Sequence, residues 1–447
     1  MDDTVLPSKL LTTLSQAADI VNGHDFIQVY SHYDADGISS ASIIAKTLLR
    51  AGKEFRVTLL TSLNDLSMDV IRNTPSGCII ISDLGASYIE QLDALGCDVI
   101  VLDHHTVEKQ AERICYANPH LYGIDGMTSG CGATMAFLFS IAVNKKNWDL
   151  VQVAFAGIAG DKQHINGMKG LNIYLYEGAL ERGTIKVTEG SLIPPGQLIS
   201  GLYLSTDPFI AGVSGSADGV AELLDSAGIG REKHSKDLTE NERRKLSSLI
   251  ALKLTEQGAP MKTMLEISRT RYQLKDWNTD AETLGSLLDG CGRLGFGGVG
   301  VSAGMGDAKS LSEAAELENT TRSQIMEGVL SLQRSGLNQM ENIQWFDSSS
   351  LGFTGMICGI AMQFIGDRSK PTIGVNRSDD IAKISGRATF DLLDKGVDLS
   401  AALKEACGSV RGTGGGHRIA SGGSCPKNRC EEMLSKLDEI VGKQRGR

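Results

Sequence analysis

Along the first 110 residues, short apolar runs alternate with longer amphipathic stretches. Phe26-Ile27-Gln28-Val29-Tyr30 predicts a strand, Ala41–Leu49 a helix, Phe55–Leu60 a second strand, Cys78–Ser82 a third and Asp98–Leu102 a fourth. Runs of β-branched and apolar residues without polar alternation suit strands buried on both faces, and the intervening helices supply parallel crossovers. The expected fold class is therefore α/β, with a doubly wound parallel sheet in an N-terminal domain over residues 1–194. The pattern changes at Pro194-Pro195-Gly196. Residues 195–285 predict a mostly helical inserted or intermediate domain, to which no chemistry attaches. Residues 286–307 are expected to return to the first domain. A connecting helix follows over 308–338, within a connector assigned to 308–340, and Ile325, Val329 and Leu332 share one face of it. Strand candidates Thr372–Val375 and Ile381–Ser385 then mark a smaller C-terminal α/β domain, 341–447.

Composition changes this picture little. The 447 residues are too many for one core, and apolar and charged fractions of 41% and 22% are those of ordinary globular chains. No apolar run approaches the roughly 20 residues of a membrane span. Met1-Asp2-Asp3 lacks the basic start of a signal peptide, so a cytoplasmic location is expected and no membrane association. Nine cysteines lie scattered without a CxxC pair and read as structural; Cys78, inside an apolar run, is typical. The net charge of −10 argues on its face against a nucleic-acid partner. Yet a carboxylate-rich metal site adds formal negative charge that bound cations neutralise, and a nuclease needs only a local basic groove.

The candidate chemistry sits where three predicted strands end. Ser31-His32-Tyr33-Asp34-Ala35-Asp36-Gly37 follows the first, Asp83 the third and Asp103-His104-His105 the fourth. Ligands of open parallel sheets bind at the carboxyl ends of strands, so these clusters converge on one sheet edge. Asp161 follows the apolar run Val153–Ile158 and Gly160. Four or five carboxylates on one edge repel each other, and divalent cations remove that cost. Mixed Asp and His donors suit Mn²⁺, with Mg²⁺ possible and Zn²⁺ less favoured without thiolates. Two ions about 4 Å apart, bridged by one carboxylate, can activate a water and stabilise a leaving oxygen. Singly, Asp83 reads as well as a helix cap and Gly37 as a turn residue; the signal is the combination.

These residues resemble the DHH phosphoesterases. His32-Tyr33-Asp34-Ala35-Asp36-Gly37 matches their HxDxDG motif, Asp83 the second motif, Asp103-His104-His105 the third and Asp161 the fourth. Gly414-Gly415-Gly416-His417 matches the GGGH signature of the C-terminal DHHA1 domain, and Asp289-Gly290-Cys291-Gly292-Arg293-Leu294-Gly295 is similar to the NACGRLG stretch of RecJ-type exonucleases. Asp289-Gly290 stands where Asn-Ala is commoner, and no OB domain follows, which resembles the compact archaeal RecJ-like type. The resemblance implies His32, Asp34, Asp36, Asp83, His104 and Asp161 as metal ligands, Asp83 as the bridge, and two Mn²⁺ ions or Mg²⁺. It implies that Asp103 orients the adjacent ligating histidine and that His105 faces the scissile phosphate. The glycine loop with His417, flanked by Arg411 and Arg418, would hold a phosphate or terminal nucleotide, with Arg387 and Arg293 as further contacts.

The implied activity is a metal-dependent exonuclease on single-stranded DNA or RNA, in replication or repair. One alternative is an oligoribonuclease or a phosphodiesterase of adenosine bisphosphate or cyclic dinucleotides. A second is a non-catalytic accessory of the replicative helicase, against which the complete set of acids speaks. Archaeal relatives associate with the GINS complex, and residues 195–285 are the expected place for such a contact.

Overall fold

The computed structural model describes residues 6–446. Strands β1 (Phe26–His32), β2 (Glu54–Leu60), β3 (Cys78–Ser82), β4 (Asp98–Leu102) and β5 (Cys115–Ala117) form one sheet in the order β2-β1-β3-β4-β5. Every pairing in it is parallel. Alternate side chains enter two separate cores. Ile27, Val29, Ile80, Ile100 and Leu102 join one, and Tyr30, Ile79, Ile81, Val99 and Val101 the other. Burial on both faces explains why these strands read as continuous apolar runs.

The helix expected over Ala41–Leu49 begins earlier and spans Ala35–Arg50. Asp34 caps it, its Oδ1 accepting the Gly37 N–H at 3.1 Å. Asp36 and Gly37 thus lie in its first turn. Gly37 serves close approach rather than a turn, because a Cβ there would stand 2.2 Å from the His32 carbonyl oxygen.

The chain divides into two compact units. The first holds the residues up to Gly190 together with Arg269–Thr321, and the second Ser191–Ser268 together with the residues from Arg322 onward. In the first unit, β6 (Ile185–Thr188), β7 (Arg271–Leu274) and β8 (Thr279–Asp280) make a small antiparallel sheet. Because β7 zips onto β6, and Tyr272 and Leu274 enter the main core, the chain rejoins this unit at Arg269 rather than at 286.

In the second unit, residues 191–268 are mostly helical, with Leu202, Val220, Leu224, Leu246 and Ile250 in their own core. Its six-stranded sheet comprises β9 (Asn338–Gln339), β10 (Gln344–Asp347), β11 (Thr372–Asn376), β12 (Ile381–Arg387), β13 (Thr413–Gly416) and β14 (Ala420–Pro426), in the order β13-β14-β12-β11-β10-β9. The long helix spans Ala308–Ser335, short of the expected 338, and Gly336 follows it at φ 77°. Ile325, Val329 and Leu332 are buried against Phe346 and Ile357. Among the described residues no helix is long and apolar enough to cross a membrane.

Candidate metal centre

Strands β1, β3 and β4 are neighbours, and their carboxyl ends deliver His32, Asp83 and Asp103-His104-His105 to one edge. Asp34 and Asp36 follow from β1 into the helix Ala35–Arg50, and Asp161 closes the helix Val151–Gly160. His32 Nδ1 lies 2.9 Å from Asp34 Oδ2 and 3.5 Å from Asp83 Oδ2. His104 Nε2 lies 3.2 Å from Asp83 Oδ1, 3.4 Å from Asp161 Oδ2 and 3.8 Å from Asp36 Oδ2. Asp83 therefore turns one oxygen towards each histidine, and the six side chains fall into two groups that share it. Its backbone is left-handed, φ 54°, a conformation costly for most residues but better tolerated by aspartate.

Burial and mutual repulsion govern the protonation of this cluster. Burial, then the charges of Asp83 and Asp161, push the Asp36 carboxyl well above its ordinary range. Asp161 is pushed up to about 6 by burial and by Asp83 and Asp34, against the pull of His104. Burial also acts on Asp83, but hydrogen bonds from His104 and His32 outweigh it and hold this carboxyl far below the usual value. Burial lowers both imidazoles, yet Asp34 and Asp83 around His32, and Asp161 and Asp83 around His104, carry them well above a free histidine. The acids are thus crowded beyond what two imidazolium charges relieve comfortably. Donor sets Asp83–His104–His105, His32–Asp34–Asp83 and Asp36–Cys131–Asp161 each offer ligand atoms within 4.8 Å of one another. Hard carboxylate oxygens with imidazole nitrogens, crowded and short of positive charge, fit divalent cations of the Mn²⁺ or Mg²⁺ type.

Asp36 is fixed by the backbone. Its Oδ2 accepts the Gly132 N–H at 2.6 Å and its Oδ1 the Ala133 N–H at 2.8 Å, in the first turn of the helix Gly132–Val143. A Cβ on Gly132 would stand 2.6 Å from Asp83 Cβ, so only glycine lets this helix end approach two acids at once. Cys131, the cap of that helix, departs from the purely structural reading of the cysteines, since its sulfur lies among the Asp36 and Asp161 oxygens. Burial and those two acids push its thiol well up. Sequence reasoning missed all three residues. Gly132 and Ala133 act through main-chain N–H groups, which their side chains do not advertise.

The third motif is wired differently from expectation. Asp103 holds the His104 main chain but the ring of His105. Its Oδ1 accepts His105 Nδ1 at 2.8 Å and the His104 N–H at 2.7 Å, and its Oδ2 the Ala86 N–H at 2.7 Å. Despite burial, the charge and hydrogen bond of His105 hold Asp103 down at about 2, and Asp103 in turn raises His105. The partner of His104 Nδ1 is instead the Gly126 carbonyl, at 2.8 Å.

Arg293 lies beside this centre in the same unit. It is paired with Asp289 four residues earlier, and the charge of Asp34 also acts on it. Burial raises the Asp289 carboxyl against the pull of Arg293, with Asp34 adding to the rise. The helix Ala281–Arg293 comes this close because Gly292 faces the Tyr33 carbonyl, where a Cβ would stand 1.7 Å away.

The other candidates lie in the second unit. Gly414, Gly415 and Gly416 are not a loop. They form edge strand β13, registered on Gly423, Gly422 and Ser421 of β14. Glycine is required at 414 by the helix Leu399–Ser409, since a Cβ would meet the Leu403 carbonyl at 2.4 Å, and Gly416 has φ 133°. His417 turns the chain into β14, its N–H on the Ala420 carbonyl at 2.9 Å. Arg387, opposite Ala420 in β12, ends at the same side of the sheet as Gly416, His417 and Arg418. Arg387 donates to its neighbour's carbonyl, Gly386, at 2.9 Å, and Arg418 pairs with Asp398 at 3.0 Å. Arg411 sits at the opposite end of β13, in a left-handed turn before Gly412, and is not gathered with them.

Two family models match the chain, the DHH family N-terminal domain over residues 26–158 and the DHHA1 domain over 349–443. An uncharacterized protein of Methanocaldococcus jannaschii, MJ0831, is 30% identical over 436 residues, covering 95% of each chain. The putative SPbeta prophage-derived single-strand DNA-specific exonuclease YorK of Bacillus subtilis is 29% identical over 164 residues, 32% of this chain and 26% of that protein. Among solved structures, RecJ of Thermus thermophilus in complex with Mn²⁺ has a TM-score of 0.62 at 15% identity, over 98% of this chain and 55% of RecJ. CDC45 of Entamoeba histolytica has a TM-score of 0.65 at 11% identity, over 96% and 99%. The likeness to RecJ and CDC45 is one of fold. The chain belongs to the DHH family, with a DHHA1 domain at its C-terminal side.

Proposed function

We propose that this protein is a divalent-metal-dependent phosphodiesterase that removes nucleotides from the end of a single-stranded nucleic acid. The observation that carries the reading is Asp83, buried at the carboxyl edge of the sheet with one oxygen towards His32 and the other towards His104. In this reading His32, Asp34 and Asp83 hold one ion, and Asp36, Asp83, His104 and Asp161 a second. Bound there, the ions would supply Lewis acidity, lowering the pKa of a water and offsetting charge on the phosphate. Asp103 holds the His105 ring through Nδ1, so that its other edge can donate to the phosphate oxygens as charge develops. Hydrolysis forms one P–O bond from water and breaks another, and the departing nucleotide oxygen takes the proton. Arg293 contributes a positive charge beside the centre. Gly416, His417, Arg387 and Arg418 would bind a terminal phosphate in the DHHA1 domain.

RecJ bound to Mn²⁺ supports the choice of metal, and YorK, named as a putative single-strand DNA-specific exonuclease, that of substrate class. The CDC45-like fold also suits a non-catalytic role, but the six side chains brought together here favour catalysis. The test uses single-stranded DNA and RNA oligonucleotides labelled at either end, with Mn²⁺ or EDTA. Stepwise release of mononucleotides with Mn²⁺, and no cutting of closed circles, is the expected outcome. Equal cutting of circles would remove the exonuclease reading. Turnover of dinucleotides or adenosine bisphosphate alone would replace it with the small-substrate one.

A further inference from the structure

We propose that Gln163 is a positioning residue that presets two metal ligands together, His104 by its tautomer and Asp161 by its side-chain orientation; the proposal rests on the metal-centre reading above. The helix Val151–Gly160 ends in a Schellman turn. Lys162 is left-handed, φ 57°, its N–H bonds to the Ala159 carbonyl at 3.0 Å and the Gln163 N–H to the Ile158 carbonyl at 3.0 Å. This turn folds the Gln163 side chain back beneath the site, where it is buried.

All four bonds of its amide are made inside the protein. Gln163 Nε2 donates to the Gly126 carbonyl at 2.9 Å and to Asp161 Oδ2 at 3.4 Å. Its Oε1 accepts the Gly130 N–H at 3.0 Å and Asn172 Nδ2 at 2.9 Å. The orientation of the amide is not arbitrary, because the Gly130 N–H can only donate and the Gly126 carbonyl can only accept. Asn172 is held in its turn by the Thr134 hydroxyl, which donates to Oδ1 at 2.6 Å.

The consequence falls on His104. Its Nδ1 contacts the same Gly126 carbonyl at 2.8 Å, and a carbonyl accepts only, so Nδ1 carries a proton. A neutral His104 then presents a bare Nε2 to Asp83, Asp161 and Asp36, the form a divalent cation requires. The Gln163 amide grips the carbonyl that fixes the histidine and the carboxylate that stands 3.4 Å from it. A side chain lacking either the donor or the acceptor cannot serve both loops, and asparagine is one methylene too short.

The test is Gln163→Met, which keeps volume and adds no charge. The dissociation constant for Mn²⁺, read from the EPR signal of the free ion, is expected to rise about 10–100-fold. Hydrolysis at saturating Mn²⁺ is expected to recover to within a few-fold of the unsubstituted protein. With Mg²⁺ bound, ¹⁵N shifts of His104 are expected to show protonated Nδ1 in the unsubstituted protein and mixed tautomers in the variant. Asn172→Ala, further from the ions, is expected to weaken Mn²⁺ binding by a smaller factor in the same direction, and serves if Gln163→Met does not fold. Tight Mn²⁺ binding that is unchanged in a folded variant, with His104 shifts also unchanged, would overturn the role of Gln163 alone. No Mn²⁺ binding by the unsubstituted protein would overturn the metal centre and this proposal together.

Discussion

Asp83→Ala is expected to lower phosphodiester hydrolysis by more than about 1,000-fold, beyond the effect typical of losing one transition-state donor, while the chain remains folded. Among the described residues Asp83 is the one carboxylate within 3.5 Å of both His32 and His104, so its loss removes a donor from each group at once. Two opposing effects act on stability. Alanine in the left-handed conformation that Asp83 occupies costs roughly 1–2 kcal/mol. Against that, Asp36 and Asp161 lose a buried like charge that now raises both their pKa values. Melting followed by circular dichroism checks folding, and initial rates on a labelled single-stranded oligonucleotide with Mn²⁺ check activity. A folded variant that retains a tenth of the activity would exclude Asp83 as the shared ligand.

Stripping divalent ions is expected to abolish hydrolysis and to lower the melting temperature by roughly 10 °C relative to protein at about 1,000 times the metal dissociation constant. The difference should widen from pH 5.5 to pH 8. Raised carboxyls bind protons more tightly in the folded chain, so stability from Asp36 and Asp161 is present at acid pH and fades as pH rises, for Asp161 through about 6. His32 and His104, also raised, stabilise fully below about 6.5. That contribution is lost as pH climbs through their folded values. Asp83 and Asp103 are lowered, and their contributions persist across this window; that of Asp103 is lost only as pH falls from the ordinary carboxylate range through about 2. Toward pH 8 the bare cluster is therefore weaker than at pH 5.5, while protons compete less with metal. Differential scanning fluorimetry with and without EDTA across this range measures both. A gap that narrows with pH would contradict the assignment.

Most of the candidate metal ligands were legible because they cluster at strand ends, and a buried parallel strand announces itself through an unbroken apolar run; Asp161 instead closes a helix. The same logic fails for β5, whose three residues are too few to show a pattern. It fails differently at Gly414–Gly416, where three glycines read as a loop. Their strand is imposed by pairing with β14 and by the close passage of the helix Leu399–Ser409, not by local propensity. Within the site, the division of donors between two groups was invisible, since it depends on which way the Asp83 oxygens point. The support of His104 was hidden too. Gly126 acts through its carbonyl and Gln163 through an amide that any surface position could carry, so neither residue type signals its task. Asp289, by contrast, was noted in sequence as unusual, and the structure pairs it with Arg293 beside Asp34.

Asp83 is expected to join two ions at the carboxyl edge of the parallel sheet. Anomalous scattering from crystals grown with Mn²⁺, recorded on either side of the manganese absorption edge, tests this. Two peaks are expected, one bonded to His32, Asp34 and Asp83 and the other to Asp36, Asp83, His104 and Asp161, at roughly 4 Å separation. Peaks elsewhere on the chain with none in contact with Asp83 would contradict it.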